Sequence, residues 1–193
     1  HEEFSAQEER KASQASSYAA GLAERTASAL VECETLTADG RLTDEARVAM
    51  HLHEIHPTAT ARLLSESDYL ADLSPREIVA LLVTFAPTAL ARDGGMQYPD
   101  SGNDRVDQSS QRLAALVGKF ADLEATRDLD TGSCTEIHFE LQVPALEWCD
   151  AATHEHTNGL IQSMHDAGLS TGEFVKALLK VNSTARELGK ACE

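Results

Sequence analysis

Hydrophobic positions recur at helical spacing in almost every segment of the chain, and no stretch of five or more residues alternates strictly. The pattern therefore predicts an all-α fold, a multi-helix bundle. The sharpest element begins at Ser74. There a hydroxyl stands before Pro75, with Glu77 placed to complete a capping box, and Ile78, Leu81, Leu82 and Phe85 follow at i, i+3, i+4 and i+7. A core helix is expected over this run. Upstream, Asp39-Gly40 signals a turn, and Thr43 followed by Asp44 and Glu45 starts a helix over about 44–55 with its acids at the positive end of the dipole. Pro57 is placed like the first residue of the next short helix, which carries Leu63 and Leu64.

After Pro87 the run RDGGMQYPDSGND at 92–104 offers no helical face and predicts a loop. A long helix over about 105–129 carries Val106, Leu113, Leu116, Val117, Phe120 and Leu123 on one stripe, and the TGS run at 131–133 breaks it. The next helix, about 135–152, puts Ile137, Leu141, Ala145, Trp148 and Cys149 on one side, with Pro144 predicting a kink. A shorter helix around Leu160, Ile161 and Met164 ends at Asp166-Ala167-Gly168. Ser170 with Glu173 then reads as a second capping box, opening a helix that runs to the end of the chain. On it, Phe174, Leu178, Val181, Ala185 and Leu188 form an expected apolar seam. Lys176, Lys180, Ser183 and Lys190 lie two positions on, roughly 200° around the helix, and are expected to face outward. Residues 2–30 are helix-compatible, but their first half is too polar to bury much. The expected organisation is thus a helical lead-in over 1–35 and a bundle over 36–193.

Charge narrows the function classes. Acidic residues outnumber basic ones 32 to 16 in 193 residues, giving a net charge of −16, which excludes whole-surface attraction to nucleic acid or anionic lipid. Against that background, residues 160–193 hold four basic and four acidic side chains, a locally neutral end. No apolar run approaches the ~18 residues of a membrane span, and the N-terminal HEEFSAQEERK lacks a signal-peptide core. A soluble, intracellular protein is expected. The chain starts on His rather than Met and stops within a helical pattern, so it is expected to be a piece of something longer.

Candidate chemistry is sparse. No GxxxxGK[ST] occurs, so no phosphate-cradling loop for a nucleoside triphosphate is present and neither ATP nor another cofactor is expected in this chain. DEAR at 44–47 resembles a helicase DEAD box only superficially, since it opens a helix after a polar turn and ends in Arg47. His53 and His56 are spaced i, i+3 rather than the i, i+4 of zinc-protease helices, and with His154 and His156 they read as solvated or capping residues, not metal ligands. Cys33, Cys134, Cys149 and Cys192 form no CxxC pair and read as buried thiols. The sequon at Asn182 lies inside a predicted helix. No catalytic residue is assigned.

Four segments, in order, resemble one family: LTADGRLTDEARVAMHLHEIHP at 36–57, LADLSPREIVALLVTFAP at 70–87, ALEWCDAAT at 145–153 and GEFVKALLKVNSTARELGKACE at 172–193. Together they are similar to the C-terminal helical domain, DSHCT, of superkiller-type DExH-box RNA helicases of superfamily two. The resemblance covers about residues 24–193, with 92–134 matching only in helical character. It implies a bundle packed on the RecA-like helicase core of the same chain, where ATP and Mg would bind, and a final ratchet helix touching single-stranded RNA. By position, Lys176 and Lys180 take the family's basic places and Ser183 the place of an acid, leaving a hydroxyl able to bond a base or phosphate. It further implies a role in an RNA-decay or processing complex, in nucleus or cytoplasm, or in the host cytoplasm or virion if the source is viral. The alternative is a stand-alone helical adaptor that uses the same apolar seams to bind a protein partner, and a third is a small His/Cys-dependent enzyme.

Overall fold

A computed structural model describes residues 2–66, 72–92, 98–132 and 136–191. Among these the chain is all-α, its only strand-like feature being one antiparallel bridge between Leu36 and Leu42. The helices are α1 (Glu2–Glu32), α2 (Asp44–Ala49), α3 (Pro57–Ser65), α4 (Pro75–Leu82), which continues into a 3-10 turn (Val83–Phe85), α5 (Ala89–Arg92), α6 (Asp104–Thr126), α7 (Gln142–Asp150), α8 (His154–Asp166) and α9 (Thr171–Ala191). Among the described residues, no helix is long and apolar enough to cross a membrane.

The core forms where the apolar stripes of α4 and α6 meet. Leu81, Leu82, Val83 and Phe85 are buried against Val106, Leu113, Leu116, Val117 and Phe120. Both helix starts are joined by one polar cluster. Glu77 accepts from the Ser74 N–H (2.7 Å) and hydroxyl (2.6 Å), and its other oxygen accepts from the Asn103 amide (2.8 Å). Asn103 in turn caps α6 by accepting from the N–H groups of Arg105 and Val106. These bonds, the Ser74 hydroxyl first and then its N–H and Asn103, hold the Glu77 carboxyl down at about 2. α7 closes over α4 through Gln142, whose amide donates to the Ala80 carbonyl (3.3 Å) and to the Ser110 hydroxyl (2.7 Å).

Several elements differ from the sequence expectation. α2 stops at Ala49 rather than near 55, because Leu52 and Ile55 are both buried by a non-helical segment and Pro57 disfavours helix in the residue before it. α7 begins at Gln142, not 135, which places Pro144 in the first turn. There its missing N–H would have had no intrahelical partner, so no kink results. Trp148 and Cys149, expected on the apolar side, are exposed. Part of the predicted 92–104 loop, residue 133 of the predicted helix break at 131–133, and both Cys134 and Cys192 lie outside the described residues. Among its described side chains, α1 is exposed over residues 11–20 and packs on the bundle near its end, where Ala29, and Cys33 just beyond the helix, are buried. Its end is anchored by Arg62, which donates to Glu34 (2.8 Å) and the Cys33 carbonyl (2.9 Å), and by an Arg127–Glu32 ion pair.

Candidate functional site

α9 is opened by a glycine-assisted turn. Gly168 adopts φ +78°, and Leu169 N–H bonds back to the Met164 carbonyl (2.8 Å), which ends α8 and starts the last helix at Thr171. The buried seam of α9 is Phe174, Ala177, Val181 and Thr184, with Leu178 and Leu188 half-buried and Ala185 exposed. The expected seam through Leu178 and Ala185 is therefore rotated. Ala177 and Thr184 are small enough to face α4, the 3-10 turn, α2 and α8 at close approach, and they pull the contact line to their side.

That rotation moves the candidate contacts. Lys176 is exposed, Ser183 half-buried and Lys180 half-buried. Lys180 does not face outward as expected: its ammonium donates to the Phe85 carbonyl at 3.0 Å. Two carboxylates share its edge of the helix. Glu173 accepts the Ala89 N–H (3.1 Å) and Glu187 the His53 N–H (3.0 Å). Residues 173, 180 and 187 are seven apart, so at about 100° per residue they stack along one line. This edge is stitched to the backbone of three other segments. Glu173 thus bonds across to α5 instead of closing a box onto Ser170.

The outward face, by exposure, consists of Val175, Lys176, Leu179, Asn182, Arg186 and Lys190. Leu179 is 64% exposed and Val175 48%. Across α9 four cations stand against two carboxylates, and both carboxylates are occupied by backbone N–H groups. Among the described residues, Lys176, Arg186 and Lys190 have no ion pair. In a chain of −16, this face is positive and open. Beside the first turn of α9, Trp148 meets Phe174 edge-on with ring centroids 5.9 Å apart.

The remaining chemistry-bearing residues have structural tasks. In the DEAR tetrapeptide, Glu45 bonds Arg62 (2.9 Å) and Asp44 pairs with Arg47 (3.5 Å). His56 caps α3: its Nδ1 accepts the Ala59 N–H (3.2 Å), the ring stacks on Phe120 at 5.5 Å, and burial lowers its pKa to about 4. Because Nδ1 is the acceptor, the proton sits on Nε2, which is buried without a partner among the described residues. Cys33 lines a mostly apolar pocket of about 210 Å³ between α1, α3 and α6, and burial pushes its thiol up, away from nucleophilic use. The Cys149 thiol is also raised, by partial burial and then by the charge of Asp150. Among the described residues, no group of His, Cys, Asp and Glu is clustered to hold a metal.

Sequence reasoning found Lys176 but missed Arg186 as part of the open face. The signal was available, since Val175, Leu179, Asn182 and Arg186 follow helical spacing. Comparison with known proteins agrees with the fold: a family model described as the DSHCT (NUC185) domain matches residues 39–193. No curated protein matches the chain.

Proposed function

Since the chain belongs to the DSHCT (NUC185) family, the domain associated with superkiller-type (Ski2-like) helicases, we propose that it is the C-terminal helical bundle of an ATP-dependent RNA helicase. Its last helix guides single-stranded RNA past the bundle. The observation that carries this reading is the open, positive face of α9 on an otherwise acidic body. Such a surface repels nucleic acid everywhere except along one helix, which suits threading better than coating. Lys176 stands free to meet a phosphate, and Ser183 flanks it. Lys180 would have to leave the Phe85 carbonyl to join them.

The chain supplies no ATP chemistry in this reading. It has no GxxxxGK[ST] loop, and its acidic tetrapeptide is spent on Arg62 and Arg47, so nucleotide and Mg belong to a RecA-like core that the bundle packs against. An RNA-decay or processing assembly is the proposed setting.

A second reading has its own observation. Val175 and Leu179 are exposed aliphatics on a helix face, as an adaptor surface for a protein partner would show.

Fluorescence anisotropy with labelled single-stranded RNA separates the two. RNA guidance expects weak binding at low salt that falls steeply as salt rises and weakens in Lys176→Ala, with no ATP turnover by the pure chain. Absence of binding at the lowest salt refutes it.

A further inference from the structure

We infer that the cavity between α1, α3 and α6 is a binding site for a small aromatic amine, with the ring buried inside and the ammonium held by Glu124 at the mouth. None of the lining residues belongs to α9, so the site stands apart from RNA guidance.

Size and surface select the ring. The cavity holds about 210 Å³, and one of about 150 Å³ walled by aliphatic and aromatic side chains already takes up benzene. There is room for one ring with a short side chain, but not for a drug-sized ligand, whose pockets start at about 300 Å³. One wall is aromatic: the buried rings of His56 and Phe120 stack with centroids 5.5 Å apart, and both residues line the cavity. Ala29, Leu30, Leu123 and Leu129 add aliphatic surface. Burial holds the His56 imidazole neutral at pH 7, with its pKa lowered to about 4, and keeps the Cys33 thiol protonated. The interior is therefore uncharged and accepts an uncharged group.

Charge enters at the mouth. Among the described residues that line the cavity, Glu124 is the only carboxylate, and none is a lysine or arginine. Half-buried Glu124 accepts the hydroxyl of exposed Thr131 through Oε1 (2.7 Å), which leaves Oε2 for a ligand. The bond to an exposed threonine places this carboxylate at the rim. A body of net charge −16 enriches cations and depletes anions around such an opening. A ring with an ammonium one short chain away meets both requirements, whereas a ring bearing a carboxylate would bring like charge against Glu124. Thr26, Ala29, Leu30 and Cys33, which form the α1 side, all precede the family-matched residues 39–193. Part of the site thus lies outside the matched bundle.

The test titrates the full 193-residue chain with 2-phenylethylamine, 2-phenylethanol and phenylacetate, which share a ring and differ in charge, and follows backbone amide shifts by NMR at neutral pH. The amine is expected to bind with Kd on the order of 1 mM and to shift the amides of Leu30, Cys33 and Leu123. The alcohol is expected to bind about tenfold more weakly, the effect of losing one charge-assisted hydrogen bond, and phenylacetate more weakly still. Glu124→Gln should bring the amine to the affinity of the alcohol and leave the alcohol unchanged. Thr26→Phe, which fills the cavity from a half-buried wall position, should abolish binding of all three without lowering the melting temperature. If none of the three compounds shifts these amides, if the shifts fall elsewhere, or if folded Thr26→Phe binds like wild type, the site is overturned. If phenylacetate binds as tightly as the amine, or Glu124→Gln keeps the preference for the amine, the assignment to aromatic amines is overturned.

Discussion

Acidification offers a measurement of one buried ring. His56 is 2% exposed, caps α3 through Nδ1, stacks on Phe120 and has its pKa lowered from 6.5 to about 4, with burial the main cause. Protonating it in the folded state would place a hydrogen on the nitrogen that accepts the Ala59 N–H and strand a charge in an apolar wall. The unfolded chain has no such objection, and its His56 takes up a proton near pH 6.5. Stability contributed by the neutral ring is therefore complete above pH 6.5, declines as pH falls through the window down to about 4, and levels off below. A gap of 2.5 units at 1.36 kcal/mol each amounts to about 3 kcal/mol, a large share of the roughly 5–15 kcal/mol that holds a domain together. Glu77 acts in a lower window. Its carboxyl is held at about 2, so its contribution is lost from 4.5 downward. The assay is urea unfolding at closely spaced pH, followed through Trp148, the only tryptophan, and by circular dichroism. His56→Asn retains a capping acceptor but cannot titrate; it should start from lower stability and lose the descent between pH 6.5 and 4.5. A flat wild-type profile in that window, or an unchanged descent in His56→Asn, refutes the reasoning.

Three further outcomes are expected. Leu82→Ala, in the core at 5% exposure, should cost about 3 kcal/mol by urea unfolding, and Ile78→Ala, at the half-buried margin, about 1 kcal/mol; equal losses would mean that α4 presents a different face. Thr184→Val should stabilise the chain by about 1 kcal/mol, because the Thr184 hydroxyl is buried without a partner among the described residues; a fall in melting temperature would reveal a bond to that oxygen. Lys180→Met should cost about 1 kcal/mol through loss of the Phe85 tie, with Lys180→Arg partly restoring it, and a wild-type melting curve for Lys180→Met would show the tie to be idle.

Local signals in the sequence were read correctly where the physics is local. Thr43, Pro57, Ser74 with Glu77, and the Gly168 turn each mark an observed boundary, because capping and positive φ depend on a few neighbouring residues. The α6 stripe was legible for the same reason. What failed depended on distant partners. The helix expected from 135 begins only at Gln142; residues 136–141 keep helical spacing but are irregular, and His138 N–H bonds the Thr84 carbonyl instead. On α9 apolar positions at 4-3 spacing were followed, so Leu178 and Ala185 were placed on the seam in preference to Ala177 and Thr184. Lys180 looked solvated and Glu173 looked like a capping-box acid, since a backbone group 84 to 95 residues away leaves no mark on their own surroundings in the sequence.

The stitched edge of α9 also constrains how this chain can vary. An ordinary ion pair can be inverted by exchanging both side chains, and such exchanges show up as paired substitutions between contacting positions. Here each charged side chain is matched to a peptide group, and a peptide N–H or carbonyl has no counterpart of opposite sign for mutation to supply. The order acid, base, acid at 173, 180 and 187 is thus fixed by the main chain, while these contacts make no demand on the side chains at 89, 85 and 53. Statistical searches for paired substitutions would overlook these three contacts, and a design that reverses the charges of the edge would have no second-site remedy.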